Sequence, residues 1–308
     1  MLHQPEITFI ICTYNRAGYL DDTLKSLLSH QKEDANFEIL VIDNNSSDNT
    51  REVVGQNRKL LQGNRLRYVK EPNQGLSYAR NRGIKESDAP NIVFVDDDVW
   101  VTRDYISAWF SFFRDYPEAK AAGGKIHVQF DDPRPDWMSH FLLPLLGHHD
   151  HGKQVKIYNK RDYPFGGNMG FRKNLFETFG LFNTELGRIG TKLKASEEKE
   201  FFQRLKQQFI DIYYLPEAKL FHRVNKSRLT EEYIRRQASG LGQSMRLQLK
   251  QASIPKSFST LFSEVAKVSG SVPIGLFYLL GLQFSKTKML FRFRWWIWRG
   301  YFSERSTK

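Results

Sequence analysis

Three consecutive carboxylates, Asp96-Asp97-Asp98, follow directly on the apolar run Ile92-Val93-Phe94-Val95. Adjacent carboxylates repel one another, so a cluster of this kind is costly unless a cation neutralises it. An oxygen-rich donor set suits a hard divalent ion such as Mg²⁺ or Mn²⁺, with a phosphate as a further ligand. On this stretch alone a solvated acidic turn would also explain the three acids. The surrounding elements decide between the two readings.

The turn residues Asp88 to Asn91 precede the apolar run, which reads as a buried strand with its acids at the C-terminal end. Upstream, Glu6 to Thr13 and Phe37 to Asp43 are two more buried strands, and Leu66 to Val69 a weaker one. Helical spacing is visible between them: Leu20, Leu24, Leu27 and Leu28 share one face of a helix over Tyr19–His30, Val53 and Val54 mark a second helix, and a third begins near Gly75. The order β-α-β-α-β-α-β predicts an α/β class with a mostly parallel, doubly wound sheet. In such sheets ligands bind outside the C-terminal strand ends. Thr13 to Arg16, Asp43 to Asn45 and Asp96 to Asp98 therefore converge on one crevice. Asp43 is placed to accept hydrogen bonds from a base or ribose. Gly75 opens a helix whose N-terminus can approach a phosphate, with Arg80 one turn on. Neither G-x-G-x-x-G after the first strand nor G-x-x-x-x-G-K-[ST] occurs, which argues against a dinucleotide site and a P-loop.

The runs Ile11-Cys12-Thr13-Tyr14-Asn15-Arg16 and Ile39 to Asp48, the Gly75…Ala79-Arg80-Asn81 helix and the acidic cluster together resemble family 2 glycosyltransferases, over roughly residues 5 to 240. The resemblance implies the A-type fold and a nucleotide-diphosphate sugar as donor, with uridine diphosphate as the expected carrier. It implies that Thr13 and Asp43 contact the base with Asn15 and Arg16 nearby, that Asn45 supports base or ribose, and that Asp96 meets the ribose. Asp98 would hold the metal on the diphosphate, and Asp97 is the least defined of the three acids.

Further along, Phe165-Gly166-Gly167-Asn168-Met169-Gly170 combines glycines that admit close backbone approach with an amide that both donates and accepts. The family carries a similar stretch beside the donor sugar, which assigns Gly167 and Asn168 to donor binding. Ser196-Glu197-Glu198 reads locally as a capped helix start with acids favoured by the helix dipole. The resemblance instead puts Glu198 at the catalytic-base position and Glu197 at the acid before it. Ser196 replaces the family's glycine, and Glu198 its aspartate, one methylene shorter. His222, after a strand over Ile210–Ala218 that is expected to end at Pro216, is either structural or, by the resemblance, a second metal ligand beside Asp98. Arg223, Lys226 and Arg228 offer charge to a diphosphate. Trp137 suits either an acceptor contact or a loop anchor, and the His148, His149, His151 loop is a weak metal candidate because adjacent histidines rarely point the same way.

The 308 residues carry a net charge of +12, 14% aromatics and a single cysteine, Cys12. No intrachain disulfide can form, and the basic balance implies an anionic partner. No nucleic-acid motif accompanies the charge, so nucleic acid is not the expected partner. No secretory pattern is visible at the N-terminus, so the folded domain is expected to face the cytoplasm. Residues 1–228 are expected to form the catalytic domain and 229–308 a basic, aromatic-rich helical extension. The apolar stretch Val272 to Leu282 is short against the ~20 residues of a membrane-spanning helix. The following mixture of Lys286, Lys288, Arg292, Arg294 and Arg299 with Phe291, Phe293, Trp295, Trp296 and Trp298 suits an interfacial helix on an anionic leaflet, or else a cap packed on the protein.

The resulting expectation is an inverting, metal-dependent hexosyltransferase of polysaccharide biosynthesis, peripheral at a membrane, acting on a glycan or lipid-linked acceptor. The alternatives are a sugar-phosphate nucleotidyltransferase, which would usually show a Gly-rich basic loop after the first strand, and a non-catalytic nucleotide-sugar sensor.

Overall fold

The computed structural model describes residues 4–30, 35–59, 65–186, 197–250 and 254–303, with the backbone alone over 247–250 and 254–265. The Gly187–Gly190 loop and the capping residue Ser196 lie outside these residues. The chain divides into two compact units, one of residues up to 127 with 149–223, the other of 128–148 with 224–308. The insertion 128–148 thus groups with the C-terminal segment.

The first unit begins β1 (Ile7–Thr13), α1 (Ala17–Ser29), β2 (Phe37–Asp43), α2 (Thr50–Arg58), β3 (Arg65–Lys70), α3 (Leu76–Glu86), β4 (Asn91–Asp96). β1 pairs in parallel with both β2 and β4, and β2 with β3. The central strands read as continuous apolar runs because both of their faces are covered. Ile7, Phe9 and Ile11 of β1 pack with Leu20 and Leu24 of α1 and Val53 of α2, while Ile10 faces Ala79 and Ile84 of α3. The pairing register sets Thr13 against Asp43 and Cys12 against Asp96, so three polar strand ends share one edge of the sheet.

The remaining elements are β5 (Val99–Val101), α4 (Tyr105–Asp115), β6 (Ala121–Phe130), β7 (Lys156–Ile157), β8 (Asn168–Arg172), α5 (Leu175–Phe179), α6 (Glu197–Gln207) and β9 (Ile212–Val224). The sheet order is β3-β2-β1-β4-β8-β6-β9-β5, with β7 also on β9. Parallel pairing joins β3, β2, β1 and β4. β8 runs antiparallel to β4 and β6, as β5 and β7 do to β9. β9 does not stop at Pro216 but continues to Val224. The proline, which lacks an N–H, falls between the residues that pair with β7 (Tyr213, Tyr214) and those that pair with β5 (Leu220 to His222).

In the second unit a 3₁₀ turn (His140–Leu146) is followed by α7 (Glu231–Lys250), α8 (Ile254–Leu280) and α9 (Phe284–Phe302). These build their own core, in which Leu142, Leu146, Ile234, Met289, Phe293 and Trp296 are buried. Trp137 packs half-buried against this core, the loop-anchor alternative. Among the described residues no helix is long and apolar enough to cross a membrane.

Candidate active site

At the C-terminal edge of the parallel strands the chain bends sharply twice. Asn15 follows β1 with φ +52°, and Asn45 follows β2 with φ +67°. Asparagine tolerates this left-handed region better than most residues. The two bends are laced together: the Asn15 N–H donates to Ser46 Oγ at 2.9 Å, and the Ser47 N–H to Asn15 Oδ1 at 2.7 Å. Asp43, at the end of β2, accepts from the Ser46 N–H at 2.8 Å and from the Tyr68 hydroxyl at 2.5 Å. Asn44, which lies within the expected Asp43 to Asn45 group but had no role of its own there, is buried, donates to Asn73 O at 2.6 Å and accepts from the Gly75 N–H at 2.7 Å. It fixes the start of α3, where Gly75 has φ +146°, a conformation that L side chains rarely adopt. A polar residue directly after a strand-end aspartate is the only signal that pointed to Asn44; nothing in the sequence marked Tyr68.

The acidic cluster sits in the turn between β4 and β5. Asp97 and Asp98 are buried and share the Arg16 guanidinium, at 2.7 Å and 2.5 Å respectively. Thr13 Oγ1 donates to Asp97 Oδ2 at 2.7 Å. Burial, with Asp98 adding to it, pushes the Asp97 carboxyl up to about 7, against the pull of Arg16. Pairing of β5 with β9 sets His222 opposite Val99 and brings His222 Nε2 to 3.3 Å from Asp98 Oδ2. Asp96, Asp98 and His222 each offer one donor atom within 4.8 Å of the others. Two carboxylate oxygens and an imidazole nitrogen fit Mn²⁺ or Mg²⁺ chemically, and they leave room in the shell for phosphate oxygens. Asp96, expected at the ribose, thus shares this group with the two expected metal ligands.

Gly167 lies beside Asp96, where a Cβ would fall 2.2 Å from Asp96 Oδ2. Asn168, expected beside the donor sugar, is buried and makes hydrogen bonds within the fold. Its Oδ1 accepts from the Tyr105 hydroxyl at 2.9 Å, and its Nδ2 donates to Ala218 O at 2.8 Å and Lys125 O at 3.1 Å. The amide thereby ties β8 to α4, β6 and β9.

Glu197 and Glu198 open α6. Glu197 is buried and takes a 2.5 Å salt bridge from Arg80, itself buried on α3. Arg80 is thereby committed to a carboxylate, with Phe94 and Phe182 rings at 5.8 Å and 5.7 Å. Glu198 Oε2 lies 3.9 Å from the same guanidinium. Burial, then the Glu197 charge, push the Glu198 carboxyl up to about 7, with Arg80 acting in the opposite sense. A carboxylate of that basicity is well matched to general-base work near neutral pH. Arg223 is paired with Asp22 and lies over the Tyr19 and Trp100 rings. His149 contacts the Tyr158 hydroxyl at 2.7 Å.

A sequence model described as glycosyl transferase family 2 matches residues 8–180, more than half of the chain and all four parallel strands. The chain belongs to glycosyl transferase family 2. It is 22% identical over 234 residues to the glucosyl-dolichyl phosphate glucuronosyltransferase of Haloferax volcanii, covering 74% of this chain and 72% of that one. It is 29% identical over 142 residues to the glycosyltransferase GlyA of Streptococcus pneumoniae, covering 46% of this chain but only 20% of that protein's length. Among solved structures, the mannosyltransferase PcManGT from Pyrobaculum calidifontis, in complex with GDP-Man and Mn²⁺, superposes with a TM-score of 0.58 at 16% identity, over 94% of this chain and 86% of that one. TarS 1-349 from S. aureus, in complex with UDP, gives a TM-score of 0.53 at 18% identity, over 77% of this chain and 65% of that one. These likenesses establish the A-type fold, and family membership makes this protein a glycosyltransferase.

Proposed function

We propose that this glycosyltransferase is inverting and divalent-metal-dependent, moving a sugar from a uridine diphosphate donor to a hydroxyl of a glycan or lipid-linked saccharide. One observation carries the reading: Asp96, Asp98 and His222 gather three donor atoms within 4.8 Å at the end of β4, the edge where open α/β sheets take their ligands. Asp98 and His222, joined by Asp96, would hold the ion, which when bound neutralises charge on the diphosphate leaving group. Thr13, Asp43 and the braced Asn15 and Asn45 bends line the base and ribose side, with Arg16 beside the acids. Gly167 lets the donor sugar approach Asp96.

Glu198 accepts the proton of the acceptor hydroxyl. The acceptor oxygen then bonds to the anomeric carbon on the face opposite the diphosphate, and the anomeric C–O bond to the diphosphate breaks, releasing the nucleoside diphosphate with the bonding electron pair. Glu197 is a positioning residue rather than a second base, because Arg80 holds its charge. The relatives support the substrate class: one is named for a dolichyl phosphate-linked sugar, and solved neighbours were captured with UDP or with GDP-Man and Mn²⁺. The second unit, rich in cations, would keep the protein peripheral at an anionic, cytoplasm-facing membrane, where a lipid-linked acceptor resides.

The test is hydrolysis and transfer from a panel of nucleotide sugars with Mn²⁺. Asp98→Ala should lose both donor binding and turnover, whereas Glu198→Gln should keep binding and lose turnover. Unchanged turnover in Glu198→Gln would sink the base assignment.

A further inference from the structure

The cations and aromatics of the C-terminal segment do not form one amphipathic face. Trp296 and Phe293 of α9 are buried in the core of the second unit, so they are not available to a membrane. The apolar exposure lies instead at the turn between α8 and α9. Phe277, Leu280, Leu282 and Phe284 are 71%, 87%, 76% and 61% exposed. A cluster of four large apolar side chains this exposed marks an interaction surface rather than ordinary scatter. α8 is held to α9 on its other side through polar contacts, Thr287 Oγ1 to Gly275 O at 3.3 Å and Arg294 Nε to Ser271 Oγ at 2.9 Å. That leaves the apolar turn facing outward.

A second observation lies next to the turn. A cleft of about 620 Å³ is lined by Arg134, Asp136, His140, Tyr278, Gln283 and Lys286. Leu282 of the exposed turn forms part of its rim. The Arg134 Nε–H donates to Met138 O at 2.8 Å, which holds the guanidinium at the cleft, and Lys286 Nζ donates to Gln283 Oε1 at 3.0 Å. Two cations, Arg134 and Lys286, oppose one carboxylate, Asp136, so the cleft carries a net positive charge. From Lys267 to Phe302 the sequence has six lysines and arginines and no acid. An exposed apolar turn, a cationic cleft at its edge and a flanking segment without acids together match an anionic bilayer.

We infer that the second unit docks on an anionic bilayer through the α8–α9 turn, whose apolar side chains enter the acyl layer while the adjoining cleft seats a lipid phosphate headgroup. The volume of the cleft is within the range of small-molecule sites and exceeds what one phosphate fills, leaving room for a headgroup with a sugar attached. The inference rests on the peripheral-membrane part of the reading above and adds the surface and the ligand to it.

The test is sedimentation of the full chain with vesicles of phosphatidylcholine, alone or mixed with phosphatidic acid, alongside donor hydrolysis in solution. Wild type should sediment with the anionic vesicles and stay in solution with the neutral ones. Phe277→Ser with Leu280→Ser, both at exposed positions, should weaken retention at least tenfold and leave donor hydrolysis unchanged. Arg134→Gln with Lys286→Gln should fall to the neutral-vesicle level, and Arg134→Lys with Lys286→Arg should restore retention. Retention of the Phe277/Leu280 variant at the wild-type level overturns the inference while the peripheral reading stands. Equal retention on both vesicle types overturns the headgroup site. Wild type sedimenting with neither overturns both the inference and the peripheral reading, and leaves donor chemistry to its own assay. A melting temperature raised by inorganic phosphate without vesicle retention makes the cleft a free-anion site and overturns the lipid assignment. A dimer in solution that dissociates in the Phe277/Leu280 variant makes the turn a self-interface and likewise overturns it.

Discussion

Arg80 and Glu197 stand 117 positions apart in the sequence and 2.5 Å apart in the fold. Their side chains are 4% and 1% exposed, so each neutralises a charge that water cannot reach. The pair ties the start of α6 to α3 and puts Glu198, the next residue, at the same guanidinium. Removing one partner of a buried pair leaves the other uncompensated. Arg80→Ala should therefore lose about 3–5 kcal/mol of stability in urea denaturation. It should also raise the pKa of Glu198 further, since Arg80 is the group that pulls it down. A loss within experimental error would mean that the pair is not buried in solution.

The pH profile follows from Glu198. With its carboxyl near 7, transfer should fall roughly tenfold per pH unit below about 7 and level off above, since only the ionised form accepts a proton. Stability runs the other way. A carboxyl raised by burial favours the folded state while neutral, so its contribution is full below the ordinary 4.5 and is lost as pH rises through about 7. Glu198→Gln removes that loss. Its melting temperature should exceed that of wild type at pH 8 by more than at pH 5. Parallel melting curves at the two pH values would contradict the raised pKa.

His222 is the most informative position for the metal. His222→Ala should weaken Mn²⁺ binding in the presence of UDP by at least 10–100-fold, read by isothermal titration, because that is what even outer-shell partners of a metal site typically cost. Mn²⁺ affinity equal to wild type would remove the imidazole from the coordination sphere.

Gly167→Ala tests the close approach to Asp96. The added Cβ would meet Asp96 Oδ2 at 2.2 Å, so the carboxylate must move. Asp96 is only half-buried, so its side chain can shift with little effect on the fold. A displacement of about 1 Å at a reacting site can cost on the order of 100-fold in kcat/KM. A near-normal melting temperature with transfer reduced to that degree is the expected result; full activity would show that the donor does not use this edge.

The sequence carried most of the parallel half of the fold. β1, β2 and β4 are covered on both faces, so burial left an unbroken apolar run that a reader can see. The same runs put Thr13, Asp43 and Asp96 at strand ends, and register does the rest. β5 was not visible, because Val99-Trp100-Val101 is too short to show a period and exists only by pairing with β9. The continuation of β9 past Pro216 depends on which neighbour each residue faces, which local propensity does not report. Asn168 was placed by the family resemblance and by the two-sided chemistry of its amide; an amide that can bind a sugar can equally bind Tyr105 and two carbonyls, and that engagement depends on tertiary packing. Trp296 and Trp295 are adjacent and looked alike, yet one is 3% and the other 57% exposed, because helical rotation and not composition decides which face is covered.

The pairing of Val99 with His222 also sets an order of events. During synthesis at roughly 5–20 residues per second, the three acids leave the ribosome on the order of ten seconds before the imidazole that completes their group. During that interval Arg16 is already present; it is made before the acids and in the finished fold bonds both Asp97 and Asp98. The chain therefore carries a counter-ion for Asp97 and Asp98 before the imidazole is made, and the β1–β4 half can collapse with that guanidinium between the two acids.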